Sequence, residues 1–202
     1  SLSYRFSQEA IFPAALEDII CGIRWLKKHS DEYGIDSSRV ALVGGSAGGH
    51  LAMMAAYTAD EPIFNSDCDD SDISTTVQAI VNIYGPSDLT TDFALSNSAL
   101  TEFIGMNYDE NPVPFENASP INYISSDDPP TITFHGTIDD IVPIGQSDLL
   151  DKKLKENNVF HEYHRLKGWP HTMDLGEPVN KYLKFYMRKF FEKVIPFNTV
   201  NK

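Results

Sequence analysis

Basic residues are scarce in this chain. Sixteen lysines and arginines stand against 29 acidic residues over 202 positions, a net charge of −13 with a pI near 4.7. A surface that acidic repels phosphate, so nucleic acid is excluded as an expected partner. Long apolar runs are missing too. The longest, Leu51 to Tyr57, falls far short of the ~20 residues that cross a bilayer, and no membrane partner is expected. Cysteine is nearly absent, with only Cys21 and Cys68, which excludes a disulfide-built scaffold and an all-cysteine metal site. The two could pair once, but Cys21 falls within a predicted core helix, so two free thiols are expected. There is no internal repeat, and no signal peptide or targeting segment is expected within these residues. Ser1 to Arg5 reads as the end of a strand, so a chain shortened at its N-terminus is expected, with a cytoplasmic location favoured and secretion left open.

What is present is ordinary for a globular protein: 42% apolar and 22% charged residues, in one domain over 1–202. Leu16, Ile19, Ile20, Ile23 and Leu26 recur at helical spacing and predict a helix over Ala14 to His29. Further helices are predicted over Gly48 to Thr58, Ile144 to Asn157 and Val179 to Val194. Strands are predicted over Val40 to Val43, Val77 to Tyr84, Thr131 to Phe134 and His161 to Leu166, with Leu2 to Tyr4 as a strand remnant. Leu89 to Asp128, rich in proline, reads as irregular: a substrate-shaping excursion or a plain surface connection. Apolar strands separated by helices imply an α/β fold, a mostly parallel sheet with helices on both faces. In such sheets ligands gather where strands run out into helices.

One such exit carries Gly44-Gly45-Ser46-Ala47-Gly48-Gly49. This fits Gly-x-Ser-x-Gly between a strand and a helix, the turn that lifts a serine hydroxyl clear of a sheet. A phosphate-binding reading lacks the Gly-Lys-Ser/Thr ending and the Gly-x-Gly-x-x-Gly spacing. Ser46 is therefore the candidate nucleophile, and the N–H of Ala47, at the following helix's N-terminus, the candidate oxyanion donor. A serine needs a base and the base an orienting acid, in the chain order Ser, acid, His. Among six histidines, His171 follows Gly168-Trp169-Pro170 on the loop leaving the last strand, at the same edge as Ser46. Asp139 lies just beyond the strand Thr131 to Phe134 and is the first choice of acid, with Asp140 and Asp88 as rivals. Asp67, Asp69, Asp70 and Asp72 crowd one loop. Calcium takes oxygen ligands, but the glycine and distal glutamate of an EF-hand are absent, so a solvated loop is expected. No metal and no cofactor are expected.

With these motifs the chain resembles the α/β-hydrolase superfamily, in particular carboxylesterases of the hormone-sensitive-lipase and bacterial feruloyl/acetyl esterase type. The resemblance is carried by Tyr4-Arg5, Phe12-Pro13-Ala14-Ala15 with Asp18, Tyr33-Gly34-Ile35-Asp36, and the elbow Gly44 to Gly49 with His50-Leu51-Ala52. It continues through Tyr84-Gly85-Pro86, His135-Gly136-Thr137 with Asp139, Val142-Pro143, and Gly168 with His171. It implies the same triad, Ser46, Asp139 and His171, and a small-molecule ester as substrate. It also implies a His-Gly-Gly loop upstream of the elbow, which the 45 residues before Ser46 do not contain. By the resemblance Ser1 to Arg5 would be the fourth strand of eight, so the third, which flanks Val40 to Val43, would be missing. An open strand edge invites pairing, so a homodimer through that edge is expected. Two other readings stand beside the esterase: a serine peptidase of the prolyl-oligopeptidase type, and a binding protein that kept the fold without the chemistry.

Overall fold

The computed structural model describes residues 1–59, 61–64, 68 and 70–196. Helix α1 (Ala14–Lys28) starts just after Pro13, leads through His29 into the single turn α2 (Ser30–Tyr33), and stops at Gly34 in the left-handed region. Strand β1 (Ala41–Gly45) turns sharply into α3 (Ala47–Tyr57), and β2 (Ala79–Ile83) follows. Three short helices come next, α4 (Asp92–Leu95), α5 (Ser98–Ile104) and α6 (Val113–Asn117). Then β3 (Thr131–Gly136), α7 (Gly145–Glu156), β4 (His161–Leu166) and α8 (Glu177–Val194) complete the order.

The four strands form one sheet in the order β1-β2-β3-β4, and every neighbouring pair is parallel. Side chains alternate between its faces. Ile80 joins α1, α3 and α7 in one core with Leu16, Ile23, Met53, Met54 and Leu150. Ala79, Val81, Ile83, Ile132 and Phe134 face the other way and pack under α8 through Leu183 and Phe190. β2 and β3 are buried at every position, whereas β1 is only partly covered and Val43 is 52% exposed. β1 is thus an edge strand among the described residues. No helix of the described residues is long and apolar enough to cross a membrane.

Three expectations need correction. Leu2 to Tyr4 is not a strand. No strand of the described residues lies beside it to pair with, and the segment instead docks on α1. The Arg5 N–H donates to Asp18 Oδ2 at 2.7 Å, and the Arg5 guanidinium reaches the Asp18 carboxylate and the Ala14 carbonyl. Leu89 to Asp128 is not irregular: its prolines start elements rather than breaking them, at the first turn of α6 and of a 3₁₀ turn at Pro120–Asn122. These short helices enclose a small core of Leu89, Ala94, Ile104 and Phe115. Finally, Cys21 and Cys68 are joined in a disulfide. Cys21 stands at the flank of α1 rather than in the core, and the loop carrying Cys68 brings the two Cα atoms to 5.8 Å, a spacing that a disulfide spans.

The acidic loop lies partly outside the described residues, which leave out Asp67 and Asp69. Asp72 is exposed, and Asp70 accepts from Lys28 Nζ at 2.6 Å. No group of side chains suited to holding a metal ion occurs among the described residues.

Candidate active site

The turn from β1 into α3 is forced by close backbone approach. A Cβ on Gly44 would stand 2.1 Å from the Gly48 carbonyl oxygen, so only glycine lets the chain double back there. Ser46 sits at the apex with φ 53° and ψ −121°, a region that non-glycine residues rarely occupy. Its N–H donates to the Ile83 carbonyl at 2.9 Å, which ties the apex to β2. Ala47 opens α3 and is exposed. As the first residue of the helix, its N–H has no partner within it and forms part of the positive end of the helix dipole.

Two loops from the same edge of the sheet come to meet this serine. His171 Nε2 is 3.0 Å from Ser46 Oγ, and His171 Nδ1 is 2.7 Å from Asp139 Oδ2. A carboxylate only accepts, so the imidazole proton sits on Nδ1 and the bare Nε2 accepts from the serine hydroxyl. The Asp139 carboxylate is fully buried. Its other oxygen accepts from the N–H groups of Ile141 and Val142 at 3.0 and 2.8 Å. Its rivals lie elsewhere: Asp140 is exposed, and Asp88 closes its own turn by accepting from the Thr90 N–H and hydroxyl.

The loops are fastened to each other. A Cβ on Gly136 would fall 2.1 Å from the Trp169 carbonyl oxygen, and the Ile138 N–H donates to that same carbonyl at 3.2 Å. Gly168 N–H donates to the Thr137 hydroxyl at 2.9 Å. His135 supports Asp139 from the sheet side. Its Nε2 lies 2.8 Å from the Val142 carbonyl and 3.3 Å from Asp139 Oδ2, while Nδ1 accepts from Ser147 at 2.7 Å. Burial pushes the His135 pKa down, which keeps it a neutral donor. Three other histidines, His29, His161 and His164, are occupied away from the serine. His29 bonds the Trp25 carbonyl at the end of α1, and His161 and His164 meet Asp151 and Tyr182.

A cavity of about 310 Å³ opens beside Ser46, lined among others by Ala47, His50, Phe93, Leu100, Phe103 and Val142. Part of that wall, including Phe93, Leu100 and Phe103, comes from the α4–α5 excursion, the segment that sequence reading left undecided. Sequence reading also assigned no part in the site to His135 or to Tyr84, whose ring lies 4.5 Å from that of His171. The available signals were their place at strand ends and in the motifs Tyr84-Gly85-Pro86 and His135-Gly136-Thr137, neither of which assigns a role.

The family model described as BD-FAE matches residues 1–154, a span that holds Ser46 and Asp139 and ends before His171. Esterase LipQ of Mycobacterium tuberculosis is 33% identical over 184 residues, covering 89% of this chain and 43% of that protein. Esterase LipC of the same organism is 29% identical over 181 residues, 87% of this chain and 45% of its own. The chain thus spans less than half the length of these relatives. An acetyl ester-xyloside bifunctional hydrolase from Caldicellulosiruptor lactoaceticus superposes with a TM-score of 0.84 at 29% identity, over 97% of this chain and 71% of that one. A truncated carbohydrate esterase from gut microbiota gives 0.83 at 25%, over 94% and 72%. The strand order, the elbow and these likenesses agree: the chain belongs to the BD-FAE family and has the α/β-hydrolase fold.

Proposed function

We propose that this protein hydrolyses carboxylic esters of small acyl groups through an acyl-enzyme. The reading rests on the hydrogen-bonded chain from Ser46 through His171 to Asp139. Ser46 Oγ attacks the ester carbonyl carbon while its proton passes to His171 Nε2. Asp139 holds the imidazole in the required tautomer and offsets the positive charge it gains. The carbonyl oxygen, now negative, takes a hydrogen bond from the Ala47 N–H. His171 returns the proton to the departing alkoxide, and water then repeats the sequence on the acyl-Ser46. The apolar cavity beside the serine suits the acyl chain.

A single elbow N–H is half of the usual oxyanion site. Losing one such donor costs roughly 10²–10³ in turnover, so residues 1–202 are expected to be slow. We further propose that two copies pair along the uncovered edge of β1, where Val43 is exposed. Labelling with a fluorophosphonate tests the chemistry. The parent should label at Ser46 and Ser46→Ala should not, with both folded by circular dichroism. An unlabelled parent supports the binding-protein reading, and hydrolysis of aminoacyl amides in preference to p-nitrophenyl acetate supports the peptidase. Sedimentation equilibrium tests the pairing, which a monomer at all concentrations excludes.

A further inference from the structure

Three non-glycine residues with positive φ stand at the site: Ser46, Tyr84 at 46° and Thr172 at 55°. Such backbone is strained and persists where its surroundings hold it. The elbow explains Ser46. Nothing in the ester-hydrolase mechanism explains the other two.

Tyr84 follows β2 and is held there by its N–H, which donates to the Phe134 carbonyl at 2.8 Å. Its backbone turns the side chain across the end of the sheet, where it is 4% exposed. Its ring centroid is 4.5 Å from that of His171, with the planes inclined at 53°. Its hydroxyl donates to Asp174 Oδ1. Asp174 stands three residues beyond His171, in the 3₁₀ turn Met173–Leu175, and its carbonyl accepts from Asn180 Nδ2 of α8 at 3.1 Å. Thr172 turns the chain between base and carboxylate.

We propose that Tyr84 and Asp174 are a positioning pair for the base, the ring bearing on the His171 imidazole and the hydroxyl bond tying its loop to the end of β2. The loop before His171 is fastened by Gly168 and Thr137; the loop after it is fastened by this pair. Burial first, and the Asp174 carboxylate second, push the Tyr84 phenol well above its ordinary range, so it keeps its proton and remains a donor. The pair also places a carboxylate at the hydroxyl end of the ring that packs on His171. When His171 takes the serine proton, the imidazolium meets that ring as a cation meets a π-face.

This inference rests on the ester-hydrolase reading, and two near-isosteric variants test it. Tyr84→Phe and Asp174→Leu each remove the same hydrogen bond at nearly the same volume. Each should lower kcat on p-nitrophenyl acetate about tenfold, with KM within about twofold, because the base is misplaced while the substrate's contacts stay. The double variant should be no slower than either single one, since one bond joins the two groups. Losses that multiply, a rise in KM alone, or unchanged kcat in both variants would each overturn the pairing. If one variant unfolds, the other carries the test. A readout independent of turnover is the downfield proton resonance of the His171–Asp139 hydrogen bond. It should broaden or vanish in both variants, and if it persists unaltered in both the inference is wrong. A parent that hydrolyses no ester, with a resonance that responds to both substitutions, retires the ester-hydrolase reading and keeps the pair.

Discussion

Asp139 and Asp140 are neighbours in the chain with the same side chain, yet the fold gives them opposite circumstances. Asp139 is buried, receives two backbone N–H groups and faces His171 at 2.7 Å; Asp140 lies in solvent. Asp139→Asn presents an amide that favours the other imidazole tautomer, so turnover should fall by roughly 10⁴. Asp140→Asn should change it less than about twofold, because a solvated charge far from the reacting atoms is screened. Steady-state kinetics of the two variants decide the matter, and the reverse ranking would move the acid to Asp140. The rule of chain order pointed to Ser46, His171 and an acid between them, with Asp139 first and Asp140 and Asp88 as rivals, since it follows from which strand ends share an edge. His135 and Tyr84 escaped it because their roles depend on contacts with Val142, Ser147 and Asp174, which only folding brings near.

At the scale of the element, α3 shows how a helix can present the nucleophile's turn and still be buried almost throughout. From Gly49 to Tyr57 every residue is buried, and His50 is among them. Its Nδ1–H donates to the Pro86 carbonyl at 3.1 Å, its Nε2 has no partner, and burial lowers its pKa to about 4. The unfolded chain binds that proton near pH 6.5, so stability is complete above 6.5 and drains away as pH falls toward 4. The loss reaches at most about 3 kcal/mol. His135 adds in the same direction, while Asp128, held near 6 mainly by burial, opposes it weakly from a half-buried site. His50→Asn keeps a donor for Pro86 and cannot titrate. Urea unfolding at pH 6.5 and 4.5 should show a flatter dependence in that variant, and equal slopes would mean that His50 is solvated. The long helices α1, α7 and α8 were legible because apolar periodicity is a local signal, and α3 because an alanine- and methionine-rich run follows the elbow. The helices α4 to α6 were not, since each is too short to show a period and their prolines read as breaks.

Across the whole molecule, the disulfide was the least legible feature, because its partners stand 47 residues apart and belong to different elements. Bond formation restricts the unfolded chain, and removing it should cost about 2–4 kcal/mol. Dithiothreitol, or Cys21→Ala with Cys68→Ala, should lower the Tm accordingly while leaving fluorophosphonate labelling of Ser46 unchanged. An unchanged Tm would leave the thiols free. Labelling is spared for a topological reason. Four parallel strands give the sheet two unlike ends, and all the loops that meet Ser46 leave by one of them. The connections entering the strands, around 34–40, 70–78, 125–130 and 157–160, sit at the other end and hold none of the groups discussed for the chemistry. That end is free to drift in evolution and to carry cargo. A peptide tag or a small domain spliced between Asn157 and Phe160 would ride on the back of the molecule, out of sight of the substrate.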